Sequence, residues 1–287
     1  MTLADVRVHI DRVDKEIKEL FKERMELADQ VAQVKAETGD TIFKPDREVA
    51  IINRLTEDVQ SEIKHEYIAL IKRIMEVSRK YQYGRTLELR DCLDVSWETE
   101  ETEPQRVAMI KPELYICDMV SRDLVTTVDT FDQVGSLIAE DQVDAGIGIL
   151  ENVSVSAADA LHLMLVERGL YINRCQVCLD GGIRRKVVLF SKRLVVKPEH
   201  NRIKLMFVCH NKSGSLASIL SMISDYDVNL TEIHSRPNQK KEWNYEFYLE
   251  LEGNMLEKEM QALIFQLENE TEYFRILGSY VCKGDFS

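Results

Sequence analysis

VRVHIDRVDKEIKELFKERMELADQVAQVK, residues 6–35, decides the fold of the first third of the chain. Ile10, Val13, Ile17, Leu20, Leu27, Val31 and Val34 fall on a 3-4 repeat that lasts about seven turns and predicts one long helix. The position that completes the repeat, between Leu20 and Leu27, is Arg24. A guanidinium cannot shed its charge, and its unpaired burial is costly. Either Arg24 snorkels outward or pairs within its own chain, or an anion is expected inside the bundle. Lys35 lies three turns further on and returns to nearly the same face.

Beyond the long helix, Asp40 and Pro45 mark a break. A second helix is expected to open at Pro45, with Glu48, Ile51, Ile52, Leu55 and Val59 on one face. A third is expected over 61–83, seamed by Tyr67, Leu70, Ile71, Ile74 and Met75, with Gly84 placed to stop it. That seam continues into two polar residues, Ser78 and Gln82. Arg7, Arg24, Lys35, Arg47, Glu48, Ser78 and Gln82 would together line a polar hole in an apolar bundle. Its cationic excess suits a small organic dianion. His9 and His65 stand alone, and no nucleophile–base pair or metal-ligand cluster occurs in this region. The expected chemistry is therefore positioning and electrostatics, with no cofactor and no metal.

The whole chain has 287 residues, 45% apolar and 30% charged, enough for two or three domains. Its formal charge of −13 argues against nucleic acid or an anionic membrane as partner. No apolar run approaches the roughly 20 residues of a membrane span, and MTLADVRVHI lacks a signal-peptide pattern, so a cytoplasmic protein is expected. Of six cysteines only Cys175 and Cys178 form a CxxC pair, with no second pair to complete a zinc site; reduced thiols are the simpler reading.

Residues 1–90 carry a net charge of −1, so the acidity lies later. A stretch at 91–104, with Glu98, Glu100, Glu101 and Glu103, reads as a solvated acidic linker. The segment 105–197 is α/β in pattern: strands at 106–110 and 145–150, helices at 130–141 and 156–169, then strands at 171–179 and 186–192 around the turn Asp180-Gly181-Gly182. From 203 to 287 the order is βαββαβ, that of a ferredoxin-like unit. Gly214 stands at a helix start, where backbone amides favour a carboxylate or simply pack closely.

Residues 5–85 resemble the all-helical chorismate mutase domain that opens bacterial bifunctional chorismate mutase–prephenate dehydratases. The likeness rests on Val6 to Lys35 as quoted, on Pro45-Asp46-Arg47-Glu48, and on Ser78 with Gln82. It implies an intertwined homodimer that rearranges chorismate to prephenate. In that reading Arg24, and Arg7 from a second subunit, clamp the two carboxylates, while Arg47 and Ser78 support binding. Lys35 and Gln82 donate to the ether oxygen, and Glu48 accepts from the ring hydroxyl. Lys44 departs from the family, which has an acidic residue there.

The last unit resembles an ACT domain of the phenylalanine-binding kind. Gly214-Ser215-Leu216-Ala217 matches Gly-Ala-Leu-Val, Val228-Asn229-Leu230-Thr231 also matches, and His234-Ser235-Arg236-Pro237 stands for Glu-Ser-Arg-Pro. The resemblance implies an L-phenylalanine effector near Gly214, Ser215, Leu216, Asn229, Ser235 and Arg236. The middle segment resembles only part of a prephenate dehydratase. Gly146 to Asn152 is similar to its strand ending Pro-Ile-Glu-Asn, but Arg184 replaces the catalytic threonine and most of one lobe is absent between Leu170 and Gly181. The expectation is a chorismate mutase with a degenerate dehydratase-like spacer and amino-acid regulation. The alternatives are a bifunctional mutase–dehydratase and a non-catalytic amino-acid sensor.

Overall fold

The computed structural model describes residues 2–90, 93–111, 119–151, 155–180, 182–209, 212–238 and 245–283. They form two compact units, one of Met1–Leu93 with Ala262–Glu270, the other of Asp94–Gln261 with Thr271–Ser287.

The first unit holds α1 (Leu3–Thr38), α2 (Pro45–Leu55) and α3 (Lys64–Leu89). Thr2 and Asp5 form a reciprocal cap on α1, and Gly39 ends it in the left-handed conformation at φ 72°. Pro45 occupies the first turn of α2. Helix α3 runs through Gly84 to Leu89, which corrects the expected stop. An interior glycine costs only about 1 kcal/mol against alanine, and buried Tyr83 and Thr86 on either side hold the helix in place. Tyr83 meets Phe265 edge-on at 5.3 Å, and Ile42 completes this small core. Phe265 lies on α7 (Lys258–Glu270), whose last nine residues belong to this unit.

The seam of α1 lies open within one chain. Every residue from 2 to 23 is exposed, with Leu20 at 66% and Ile17 at 52%, and α1 buries only Ala28 and Ala32. Helix α3 engages α1 through Arg24, Asp29 and Lys35, all in the second half of α1.

The second unit is one sheet. Ten strands among the described residues are ordered β2-β1-β3-β5-β4-β9-β6-β8-β7, with β10 added against β4. The first part comprises β1 (Val107–Ile110), β2 (Val125–Val128), α4 (Phe131–Ala139), β3 (Ala145–Glu151), α5 (Val155–Arg168), β4 (Tyr171–Asp180) and β5 (Ile183–Ser191). The second comprises β6 (Arg202–Cys209), α6 (Ser215–Asp225), β7 (Leu230–Pro237), β8 (Tyr245–Glu252), the first turn of α7, β9 (Tyr273–Tyr280) and β10 (Cys282–Lys283). Within it the order β9-β6-β8-β7 is the ferredoxin-like arrangement expected. The parts join where β4 runs parallel to β9, with Ile172 opposite Gly278. A Cβ on Gly278 would lie 2.2 Å from the Ile172 carbonyl oxygen, so no other residue fits that crossing without backbone movement.

One expectation needs correction here. The acidic stretch is not free in solvent: Glu98 bridges to Val195, Glu101 binds Arg174 and Lys197 at 2.5 and 3.0 Å, and Glu103 binds Arg174 at 2.7 Å. Its carboxylates find cations some 70 to 95 residues further along, a pairing that local composition does not reveal. Cys175 and Cys178, three apart on a strand, point to opposite faces and cannot share a metal. Cys175 Sγ instead lies 3.0 Å from Cys282 Sγ, and among the described residues no metal-binding cluster occurs.

Candidate active site

A cavity of about 260 Å³ opens in the helical unit between α1, α2 and α3. Each helix delivers residues that the sequence pattern singled out. From α1, the Arg24 Nη1 donates to Ser78 Oγ and, at 3.3 Å, to the Ile74 carbonyl oxygen. Burial pulls its guanidinium below the ordinary arginine value, with Glu48 opposing, and the group stays charged. Lys35 Nζ donates to the Ile42 carbonyl oxygen at 2.9 Å and reaches Gln82 Oε1 at 3.4 Å. Burial lowers the Lys35 ammonium below the usual lysine range; Asp40 and Glu48 pull it back up, while Lys44 and Arg47 push it further down.

From α3, Ser78 and Gln82 are buried, one turn apart, and the Gln82 amide donates to the Ser78 carbonyl oxygen at 3.2 Å. Helix α2 brings Arg47 and Glu48 to the rim. Arg24, Lys35, Arg47, Glu48, Ser78 and Gln82 therefore converge on one cavity. Arg7 does not: it is exposed on the second turn of α1, about 25 Å along the helix axis from Arg24.

The sequence pattern missed one residue of the lining. Arg79 is buried, and it binds Glu48 at 2.5 Å on one side and Glu270 at 2.9 Å on the other. Its position four residues from both Met75 and Tyr83, which are themselves buried, marks it as inward-facing, a signal the 3-4 spacing carries. With Arg79 and Lys44 the described lining holds five cations against one carboxylate. Such a pocket offers fixed charge and hydrogen-bond donors to an anion, and the described lining contains no cysteine, histidine or metal-ligand cluster.

The expected effector residues are less concentrated. Gly214 caps α6 in the left-handed conformation at φ 86° without a side-chain cap, and Ser215 and Leu216 begin that helix. Asn229 donates to Glu252 at 3.0 Å, and Ser235 is exposed on β7. Arg236 is buried against Glu246 at 2.5 Å and Tyr248, so its charge is already matched. His234 binds Asp159 at 2.7 Å. Asn152 and Gly181 lie outside the described residues. Arg184 is exposed on β5.

An all-helical anion pocket, followed by a partly parallel sheet continuous with a ferredoxin-like unit, defines a multidomain protein of mixed α and α/β class. Residues 6–83 match the family model of chorismate mutase type II, and residues 204–269 that of the ACT domain. A protein of Aquifex aeolicus described as a bifunctional chorismate mutase/prephenate dehydratase is 22% identical, over 97% of this chain and 97% of its own. Among solved structures, GqqA, described as a novel type of quorum quenching acylase, aligns with a TM-score of 0.53 at 21% identity, over 61% of this chain and 94% of its own. A prephenate dehydratase from Arthrobacter aurescens in complex with L-Phe aligns with a TM-score of 0.52 at 12% identity, over 61% and 90%. The architecture is thus an N-terminal helical chorismate mutase domain, a central prephenate dehydratase-like sheet and a C-terminal ACT domain. Fold alone does not carry activity, as the acylase illustrates. Among the described residues no helix is long and apolar enough to cross a membrane.

Proposed function

We propose that the protein is a homodimeric chorismate mutase, with domains at 1–90, 105–197 and 203–287 and the acidic stretch at 91–104 between the first two. The observation that carries this reading is the convergence of Arg24, Lys35, Arg47, Glu48, Ser78 and Gln82 on one cavity, inside a segment that matches chorismate mutase type II. The rearrangement breaks an allylic C–O bond as a C–C bond forms in the same ring of atoms, and no proton or nucleophile enters. The protein needs to hold the compact conformer and to stabilise negative charge on the departing ether oxygen. Arg24 binds one carboxylate, held in place by Ser78. Lys35 and Gln82, already within reach of one another, both face the ether oxygen. Glu48 accepts from the ring hydroxyl, and Arg47 adds to the cationic field. Arg7 of a second copy supplies the clamp on the other carboxylate, and the exposed seam of α1 is the surface on which that copy sits.

The test is to follow chorismate loss with purified protein in the absence of metal and cofactor; a folded, dimeric yet inert protein overturns the reading and favours a non-catalytic sensor. The relative from Aquifex aeolicus supports a second reading, a bifunctional enzyme. Against it, the alignment to that relative runs over 352 positions, more than the 287 residues here, so stretches of it have no counterpart. With Arg184 in place of a hydroxyl, prephenate should not be converted to phenylpyruvate; formation above the spontaneous background promotes the bifunctional reading. Regulation is proposed to act through the ACT unit, with L-phenylalanine near Gly214. Calorimetry on wild type and Gly214→Val tests it. Equal heats in both, or none in either, would leave the unit without an effector role there.

A further inference from the structure

Glu48 is the one carboxylate among the described residues lining the cavity, and its partner there is Arg79. The Arg79 Nη1 donates to Glu48 Oε1, its Nε donates to Glu270 Oε1 at 2.9 Å, and its guanidinium lies over the Phe43 ring at 4.8 Å. Glu270 is itself almost fully buried and receives a second hydrogen bond, from Gln266 Nε2 at 2.9 Å. Three charged side chains from α2, α3 and α7 thus form one line ending in the cavity. A planar guanidinium shared between two carboxylates has its orientation fixed by both, so moving one end moves the other.

We propose that Arg79 is a positioning residue for Glu48, and that Glu270 at the end of α7 sets how tightly Arg79 holds it, thereby tuning the hydrogen bond that Glu48 offers to the substrate's ring hydroxyl. This rests on the chorismate mutase reading of the cavity. While Glu270 takes the Nε side of the guanidinium, Glu48 receives a single donor and keeps lone pairs for the substrate. Without Glu270 the fork turns fully onto Glu48 and competes with the hydroxyl. Burial raises the Glu270 carboxyl above the ordinary value, only partly countered by Arg79 and Gln266, so the anchor is the labile end of the line.

The test compares chorismate with the analogue that lacks the ring hydroxyl. Arg79→Lys keeps the charge and loses the fork; it should lower kcat/KM for chorismate about 10- to 100-fold, the range of one hydrogen bond to a charged group, and leave the analogue within about threefold of wild type on the same basis. Glu270→Gln should show the same selective loss, smaller in size. The double variant Arg79→Gln, Glu270→Gln removes both buried charges together, guards against simple misfolding, and should retain the substrate selectivity of the loss. Wild type inert toward chorismate would end the underlying reading. Active wild type whose Arg79 and Glu270 variants lose activity equally on both substrates, or lose none, would overturn this proposal alone.

Discussion

Replacing Lys35 with alanine separates catalysis from stability. In the folded protein its ammonium makes one good hydrogen bond, to Ile42 at 2.9 Å, and one long contact, to Gln82 at 3.4 Å. A hydrogen bond to a charged donor contributes roughly 1.5 to 3 kcal/mol. Against this loss, and that of the attraction to Asp40 and Glu48, stands the cost of half-burying the ammonium, together with repulsion from Lys44 and Arg47. At a partly solvated site each such charge–charge contribution is at most about 1 kcal/mol. The opposing contributions are similar in size, so the change in stability should stay within about 1 kcal/mol. That corresponds to a shift of about 2 to 4 °C in Tm. No such cancellation operates on the reaction, because the developing charge on the ether oxygen is absent from the empty protein. Losing a preorganised donor there costs roughly 3 to 4 kcal/mol, or about 100- to 1,000-fold in rate. The assay is chorismate consumption beside a thermal melt on the same preparation. A folded Lys35→Ala protein with activity within tenfold of wild type would refute the assignment of Lys35 to the reaction.

The lowered Lys35 ammonium also sets a pH dependence. In the proposed reaction the cation is the working form, so kcat/KM should fall as pH rises through a value below the ordinary lysine 10.5, and Lys35→Arg should move that limb upward; a limb unchanged in the arginine variant assigns it elsewhere. Ile17→Glu, at a position 52% exposed in one chain, should be nearly neutral on a monomer's surface, yet sedimentation should show it dissociating the proposed dimer with loss of activity. An unchanged mass would remove α1 from the subunit contact. Gly84→Ala should raise stability to urea by about 0.5 to 1 kcal/mol, since helix propensity improves and the new Cβ would meet Ala262 Cβ at an ordinary 4.0 Å; destabilisation would mean that α3 and α7 lie closer than this.

Much of the candidate site was legible because its residues put charge where a helix pattern asks for hydrocarbon. Arg24 breaks a seven-residue rhythm, and Ser78 and Gln82 break another, so each announces itself against its neighbours. Arg79 is harder to see, because an arginine beside Lys80 on a long helix looks like ordinary solvated surface unless its spacing from Met75 and Tyr83 is weighed. Its partner Glu270 is 191 residues away, and no local pattern joins them. The ferredoxin-like order was legible from alternating periodicity. The strand at Val125–Val128 was not, since four residues rich in threonine carry no pattern by themselves and gain their identity only by pairing with β1. The apolar seam of α1 shows where such patterns stop: periodicity says that a face will be covered and leaves open whether the same chain or another covers it.

The joining of the two parts of the sheet at Gly278 bears on how the chain could be shortened. β9 and β10 both run alongside β4, so the segment before residue 197 hides what would otherwise be the rim of the ferredoxin-like unit. The open rims of the described sheet are then β2 and β7. A shortened chain built by excising the middle segment would bare a row of unpaired amides and carbonyls on β9, a template for strand addition by any neighbouring molecule. Such a minimal protein should aggregate unless β9 is blunted with proline or lysine, whereas the natural middle, active or not, covers that rim.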